Sequence, residues 1–456
     1  MAARTERVST FDAPIPSPAE RRAAGKALRA TNPRSSLASW DPPADRRDPV
    51  EVLIESNATR AEDLVPIRHQ RMSVSPFTFF RGAALQMAYD LATQPSSGIE
   101  VQLCGDAHAA NFGVFASPER RMMFDLNDFD ETAPGPFEWD LKRLAASLVI
   151  AGRDNGFDRI TCRRGSLEAV ASYRDWIERY SQLTHLDVWY SRIDVTELTN
   201  MLGGARRRRF DEQMAKFAGK NHMKALAKLT TVVDGRLQIV EDPPLIVRWD
   251  ADEREERLEA LLRQYRTSLS GDRRALFDRY RFVDFARKVV GVGSVGTRCF
   301  VLVLQGPNGG PLFLQLKEAR AAAPDLALGR RGVRHHGQRV VDGQRRLQAA
   351  SDVLLGWATD DVTEIHYFVR QLWDSKGSID IATLPPKGFG LYAMFCGWAL
   401  ARAHARTGDS VTISGYVGTT ERFGEIITDF AEAYADQTEL DHAAMLQGIA
   451  DGRLPS

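Results

Sequence analysis

The feature that most constrains this chain is a seven-residue loop, Gly105-Asp106-Ala107-His108-Ala109-Ala110-Asn111, set between stretches that read as strands. Before it, Ile99–Leu103 alternates apolar and polar residues. After it, Phe112–Ala116 and Met122–Leu126 flank the turn residues Ser117-Pro118-Glu119-Arg120 and predict a hairpin. Asp106 and Asn111 lie five positions apart, and Asp125, Asp128 and Asp130 cluster at and beyond the return strand. Phosphoryl transfer needs such a set. A carboxylate must orient the attacking hydroxyl and take its proton, and oxygen ligands must hold Mg²⁺ on the phosphates. Magnesium takes one or two carboxylates, with phosphate and water oxygens completing its shell. The spacing assigns Asp106 to the hydroxyl and Asn111 to the metal, with the second carboxylate open among the three downstream aspartates. His108 is a further candidate, as a group that orients the loop or takes part in catalysis.

A second signal lies far downstream. Gly291-Val292-Gly293-Ser294-Val295-Gly296 has the G-x-G-x-x-G spacing. A dinucleotide-binding loop of that form opens a helix. Here Thr297–Leu304 is β-branched, aromatic and apolar, so it predicts a strand. Strand, glycine loop, strand is the arrangement that covers ATP phosphates, and it assigns Gly291, Gly293, Ser294 and Gly296 to them. The next strand, Leu312–Lys317, puts its leucines on one face and Phe313, Gln315 and Lys317 on the other. Lys317 is thereby placed to reach the α- and β-phosphates. For its acidic partner the following helix offers Asp342, with Glu318 and Gln344 as lesser choices.

The remaining chain divides by composition. Residues 1–60 are rich in Pro, Ser, Ala, Arg and Asp and predict a loosely ordered arm with a short helix near Pro18–Leu28. Residues 61–280 form a helical lobe with a single helix over Phe77–Ala92, residues 281–386 a β-rich lobe with a helix at Gly343–Gly356, and residues 387–456 returning helices. Ile365–Leu372 reads as a strand leading to an adenine-contacting segment at Leu372–Asp374. Lys plus Arg and Asp plus Glu each number 60, so no whole-chain charge draws the protein to nucleic acid or an anionic membrane. The run Arg206–Arg209 lacks interleaved aromatics and reads as a solvated helix face. Four scattered cysteines, no signal-peptide core and no apolar run of roughly 20 residues predict a soluble cytoplasmic protein.

Gly105-Asp106-x-His108-x-x-Asn111 resembles the catalytic loop of aminoglycoside phosphotransferases and choline kinases. Asp128-Phe129-Asp130, Gly135-Pro136 and Trp139-Asp140-Leu141 resemble the segment that follows it in those enzymes. That match favours Asp128 over Asp125 as metal ligand and implies that Asp140 braces the loop. Leu400-Ala401-Arg402-Ala403-His404 resembles the helix that normally precedes this loop, yet it stands near the other end of the chain. The whole pattern, through stretches such as Phe80-Arg81-Gly82, Pro136–Arg143 and Ala401–Arg406, resembles a bacterial family labelled domain of unknown function 2252. These likenesses imply an α+β, two-lobed, protein-kinase-like fold, circularly permuted because the loop precedes the glycine segment. They also imply an ATP- and Mg-dependent phosphotransferase acting on a small-molecule hydroxyl. A nucleotide-binding pseudokinase and a nucleotidyl (AMP) transferase are the alternatives on the same fold.

Overall fold

The computed structural model describes residues 14, 16–219, 222–233, 236–248, 255–289, 291, 293, 295–372 and 376–456. It is a mixed α+β structure, 55% helix and 16% strand, and no described helix is long and apolar enough to cross a membrane. Helices Phe137–Asp154, Arg159–Ser181 and Pro386–Thr407 form the centre of the helical part, and Arg422–Ala450 lies against the first two. Phe137–Gly152 is buried on every face, so this helix has no solvent side. Arg159–Ser181 and Pro386–Thr407 approach closely because Gly397 has no side chain. A Cβ there would sit 2.0 Å from the Ala169 carbonyl oxygen. The rings of Trp176 and Trp398 stack at 4.0 Å beside that contact.

The β-rich part is a six-stranded antiparallel sheet. Its strand order is Gly356–Asp360, Ile365–Gln371, Pro311–Glu318, Cys299–Gln305, Arg281–Lys288 and Ile246–Arg248. Leu312, Leu314 and Leu316 enter one apolar cluster and Phe313 another, so the expected alternation of Pro311–Glu318 is observed. The small hairpin also takes its expected form. Phe112–Ala116 pairs with Met122–Leu126, and Gly377–Ser378 adds a third strand. Glu100–Leu103 pairs instead with Ala133–Pro136.

Four expectations need correction. Residues 16–60 are more ordered than a loose arm: the expected helix near Pro18–Leu28 runs over Pro18–Thr31, and an unexpected one spans Pro49–Asn57. The first is started by a Ser17–Glu20 capping box. Arg29 and Arg34 donate to the carbonyls of Gly415, Tyr416 and Val417 at the end of helix Ser410–Val417. Charged, proline-rich composition hid these partners because they lie almost four hundred residues away. Phe77–Ala92 is two helices, Pro76–Gly82 and Ala84–Ala92, broken at Ala83 (φ −110°, ψ 35°) where buried Arg68 donates to the Gly82 carbonyl at 2.8 Å. The helix placed at Gly343–Gly356 spans His336–Leu347, and Gly356 begins a strand. Gly343 lies inside the helix because a Cβ there would meet the Thr132 side chain at 2.3 Å. The β-rich part also begins before residue 281: Ile246–Arg248 belongs to its sheet, and helix Glu255–Ser268 packs on strand Gly356–Asp360.

A buried ion pair ties the hairpin to the tail. Asp125 is fully buried and accepts from Arg402 Nη2 at 2.6 and 2.7 Å, from the Ala349 N–H at 3.0 Å and from its neighbour Leu126 N–H at 2.9 Å. Removing one partner leaves an uncompensated buried charge. Arg402→Ala is therefore expected to lower unfolding free energy by about 3–5 kcal/mol in urea titrations, and a loss under about 1 kcal/mol would contradict this role.

Candidate functional site

The loop is positioned from its first residue. The Gly105 φ is +83°, and a Cβ there would lie 1.9 Å from the Glu131 carbonyl oxygen, so only glycine fits. The loop then closes on itself through His108 N–H to the Asp106 carbonyl (2.9 Å) and Asn111 N–H to the His108 carbonyl (2.8 Å). One face of helix Phe137–Asp154 holds it from beneath. Asp140 accepts from the Cys104 and Gly105 N–H groups at 2.6 and 2.9 Å, Arg143 Nε meets Asp106 Oδ1 at 2.5 Å, and Ser147 Oγ accepts from the Ala109 N–H at 2.8 Å. Positions 140, 143 and 147 share a face because the helix repeats every 3.6 residues. The tail helix Pro386–Thr407 supports the loop too: Tyr392 Oη donates to the Ala109 carbonyl at 2.6 Å, and His404 Nε2 lies 3.3 Å from Asp140 Oδ2. Asp140 thus braces the loop, as its place after the hairpin implied.

A slot of about 150 Å³ collects most of the candidate residues. Asp106, His108, Asn111, Asp128, Gly291, Gly293 and Lys317 line it, with Arg81 and Arg370. Gly296, also assigned to the phosphates, does not line the slot; its carbonyl accepts from the Ala61 N–H at 2.8 Å. Ser294 lies outside the described residues, as do 373 and 374 of the expected adenine-contacting segment. Asp125 does not join the slot, because both its oxygens are committed to Arg402 and backbone N–H groups.

Lys317 is buried, and its ammonium lies 3.5 Å from Asp128 Oδ2 and closer still to Asp130 Oδ2. Its partners are therefore these two aspartates, and neither Asp342 nor Gln344 on the following helix. Glu318 is turned to Arg298 and Arg320 instead. Burial opposes the Lys317 charge, but Asp128 and Asp130 outweigh it and hold its pKa above the ordinary lysine value. Desolvation likewise works to raise Asp128, while Lys317 and Arg370 hold it well below the usual carboxylate range. Asp130 is pushed up by burial and by the neighbouring Asp128 charge. The Asp128 side chain is 42% exposed, so the carboxylate is reachable, yet its Oδ1 atom and that of Asp130 are shut from solvent without a hydrogen-bond partner. The Asn111 side-chain nitrogen donates to the Asp106 and Asp128 carbonyls at 3.0 and 3.1 Å, which commits the nitrogen and leaves the amide oxygen for another contact. Among the described residues, no three His, Cys, Asp or Glu side chains form a group able to hold a metal by themselves.

A family model described as "Uncharacterized protein conserved in bacteria (DUF2252)" matches residues 60–447. The chain belongs to that family. No curated protein and no solved structure matches it. The matched span includes the loop, the glycine segment, Lys317 and the tail helix, so every slot residue lies inside it. Arg370 and the pairing of Asp130 with Lys317 were not anticipated. Helical spacing from Asp140 points to Arg143 and Ser147; no comparable signal marks Arg370.

Burial holds the His108 imidazole down at about 4, with Asp106 opposing and Arg81 and Arg143 adding to the effect. The folded value lies below the ordinary 6.5, so between those limits the unfolded chain binds more protons. Stability contributed by neutral His108 is present above 6.5 and lost as pH falls towards 4. The difference in unfolding free energy between wild type and His108→Gln should shrink across that window. An unchanged difference in denaturant titrations would exclude a buried neutral imidazole.

Proposed function

We propose that this protein is an ATP- and Mg²⁺-dependent phosphotransferase acting on a hydroxyl of a small molecule. The observation that carries the reading is the common slot. It brings Asp106, Asn111 and Asp128 from one end of the chain against Gly291, Gly293 and Lys317 from the other. In this reading Asp106, held by Arg143, aligns the acceptor hydroxyl and receives its proton. The hydroxyl oxygen bonds to the γ-phosphorus of ATP, the bond to the β–γ bridging oxygen breaks, and ADP leaves. Backbone at Gly291 and Gly293 admits the phosphates without a Cβ in the way, and Lys317 moves from its aspartates to phosphate oxygens. The partnerless Oδ1 atoms of Asp128 and Asp130, together with Asn111, fit magnesium's preference for oxygen ligands, the phosphates supplying the rest. Bound there, the ion would neutralise charge developing on the transferred group.

The fold that goes with this activity is a two-lobed, protein-kinase-like one, circularly permuted. The His404–Asp140 contact supports it, since it sets the tail helix beneath the loop it would precede in an unpermuted chain. The described cysteines are all unbridged and buried, which supports a cytoplasmic setting.

The test is incubation with Mg²⁺ and ATP labelled at the γ or α position, alone and with a metabolite pool, beside Asp106→Asn. γ-Label should move to a small molecule, and Asp106→Asn should slow this by about 10²–10⁴-fold. α-Label transfer would instead establish nucleotidyl transfer. Tight ATP binding without turnover would establish a pseudokinase, and absence of ATP binding would overturn all three.

A further inference from the structure

Beside the slot lies a larger cavity of about 620 Å³, a size that suits a small molecule. The two share Arg81, Asp106, Asn111, Asp128 and Gly293, so a ligand in the cavity reaches the proposed transfer point. Arg60, Arg68 and Arg81 are among the residues that line it, Arg81 where it meets the slot. Arg60 donates to the Val295 and Ser56 carbonyls at 2.5 and 3.1 Å. Arg68, 1% exposed, donates to Asn57 Oδ1 and the Gly82 carbonyl at 2.5 and 2.8 Å. The Nε atoms of Arg68 and Arg81 are buried with no hydrogen-bond partner. Among the described residues, none of the three guanidiniums has a carboxylate within ion-pair distance.

Neutral carbonyls do not balance three guanidinium charges, and a buried cation without a counter-ion is costly. Burial lowers the pKa of each, that of Arg60 to about 10; Arg320 adds to the effect at Arg60 and Arg60 adds to it at Arg68, while nearby carboxylates oppose it at Arg60 and Arg81. Of the carboxylates that line the cavity, Asp106 is bound to Arg143, Asp128 and Asp130 to Lys317, Glu318 to Arg298 and Arg320, and Glu55 to Arg47 and Tyr89, while Glu131 accepts the Ala323 N–H at 2.6 Å. Among the described residues these carboxylates act on the three guanidiniums only from a distance, Glu131, Glu318 and Asp130 on Arg60 and Asp106 on Arg81, and leave them without a direct counter-ion. In the phosphotransferase reading the nucleotide phosphates meet Lys317, Arg370 and glycine backbone in the slot, which leaves Arg60 and Arg68, lining the larger cavity and not the slot, without an anion.

We infer that the acceptor is an anionic small molecule whose carboxylate or phosphate sits on Arg60, Arg68 and Arg81 while its hydroxyl lies at Asp106. This rests on the phosphotransferase reading for the hydroxyl and ATP, but the oxyanion site stands on the arginines alone. The transfer is the one already written: the acceptor oxygen gains phosphorus, ADP leaves, and the proton passes to Asp106. Planar guanidinium forks recognise oxyanions in two-point contacts, which a neutral acceptor would leave unused.

The test is calorimetric titration of the full chain, saturated with Mg²⁺–ADP, with inorganic phosphate and separately with acetate at constant ionic strength. Arg81→Gln is compared with Arg159→Gln, whose side chain is 83% exposed on another helix, and both are checked for folding by circular dichroism. At least one anion should bind the wild type, and Arg81→Gln should weaken it tenfold or more while Arg159→Gln leaves it unchanged. Phosphate preference marks a phosphorylated acceptor, and acetate preference a carboxylate. If Arg81→Gln fails to fold, Arg81→Lys serves in its place, keeping charge but losing the two-point contact. Anion binding that ADP displaces would assign the arginines to the nucleotide and overturn the inference. So would absence of binding, or equal affinity in the variant. Arginine-dependent anion binding in a protein that takes no ADP would sink the phosphotransferase reading alone.

Discussion

The arrangement depends on one buried carboxylate. Asp140 accepts the Cys104 and Gly105 N–H groups and faces His404, whose other ring nitrogen lies 2.9 Å from the Tyr173 hydroxyl. Four separate segments meet there: the loop, the helix that follows the hairpin, the long helix after it, and the tail helix. Charge-assisted bonds to a carboxylate are about twice as strong as neutral ones, and a low-dielectric interior strengthens them further. The same interior makes each bond costly to lose, so the segments are bound to a single geometry. Asp125 and Arg402 repeat the device two residues earlier on the tail helix and fix the hairpin to it. The loop is thus a rigid shelf, held from below by charges that never reach solvent.

Above the shelf the cleft is made of unequal halves. The hairpin side contributes Asp106, Asp128 and Asp130, and the sheet contributes Lys317 and Arg370. Asp128 and Asp130 share one ammonium, and each keeps a buried oxygen without a partner. Such a half-satisfied polar cluster is expensive in a finished core and expected where a ligand completes it. The N-terminal helices add a second tie. Arg60 and Ala61 bond the carbonyls of Val295 and Gly296, so the glycine segment is held to the helical part across the cleft.

Much of this was legible because it is local. β-Branched, aromatic and apolar residues placed Cys299–Gln305, alternation placed the Lys317 face of its neighbour, and turn chemistry placed the hairpin. The five-residue spacing from Asp106 to Asn111 led to two side chains that do line one slot. The partner of Lys317 was sought on the next helix, where chain proximity favours it, and came from the far hairpin. Asp125 was held in reserve as a ligand because nothing local distinguishes it from Asp128. Its strand position, opposite Gly113, carries it under the hairpin towards Arg402. Gly343 read as the first residue of a helix, but it lies mid-helix, packed close on Thr132.

The sequence by itself determined the strands Cys299–Gln305, Pro311–Glu318 and Ile365–Gln371, the hairpin, and the residue types able to orient a hydroxyl or hold phosphates. Periodicity and backbone sterics act over a few residues, and those patterns are written in order along the chain. Only the tertiary structure decided which charges meet: Asp140 with His404, Asp125 with Arg402, Lys317 with Asp128 and Asp130. A buried charge takes whatever partner the packing of distant helices brings within a few ångströms, and separation along the chain does not encode that distance.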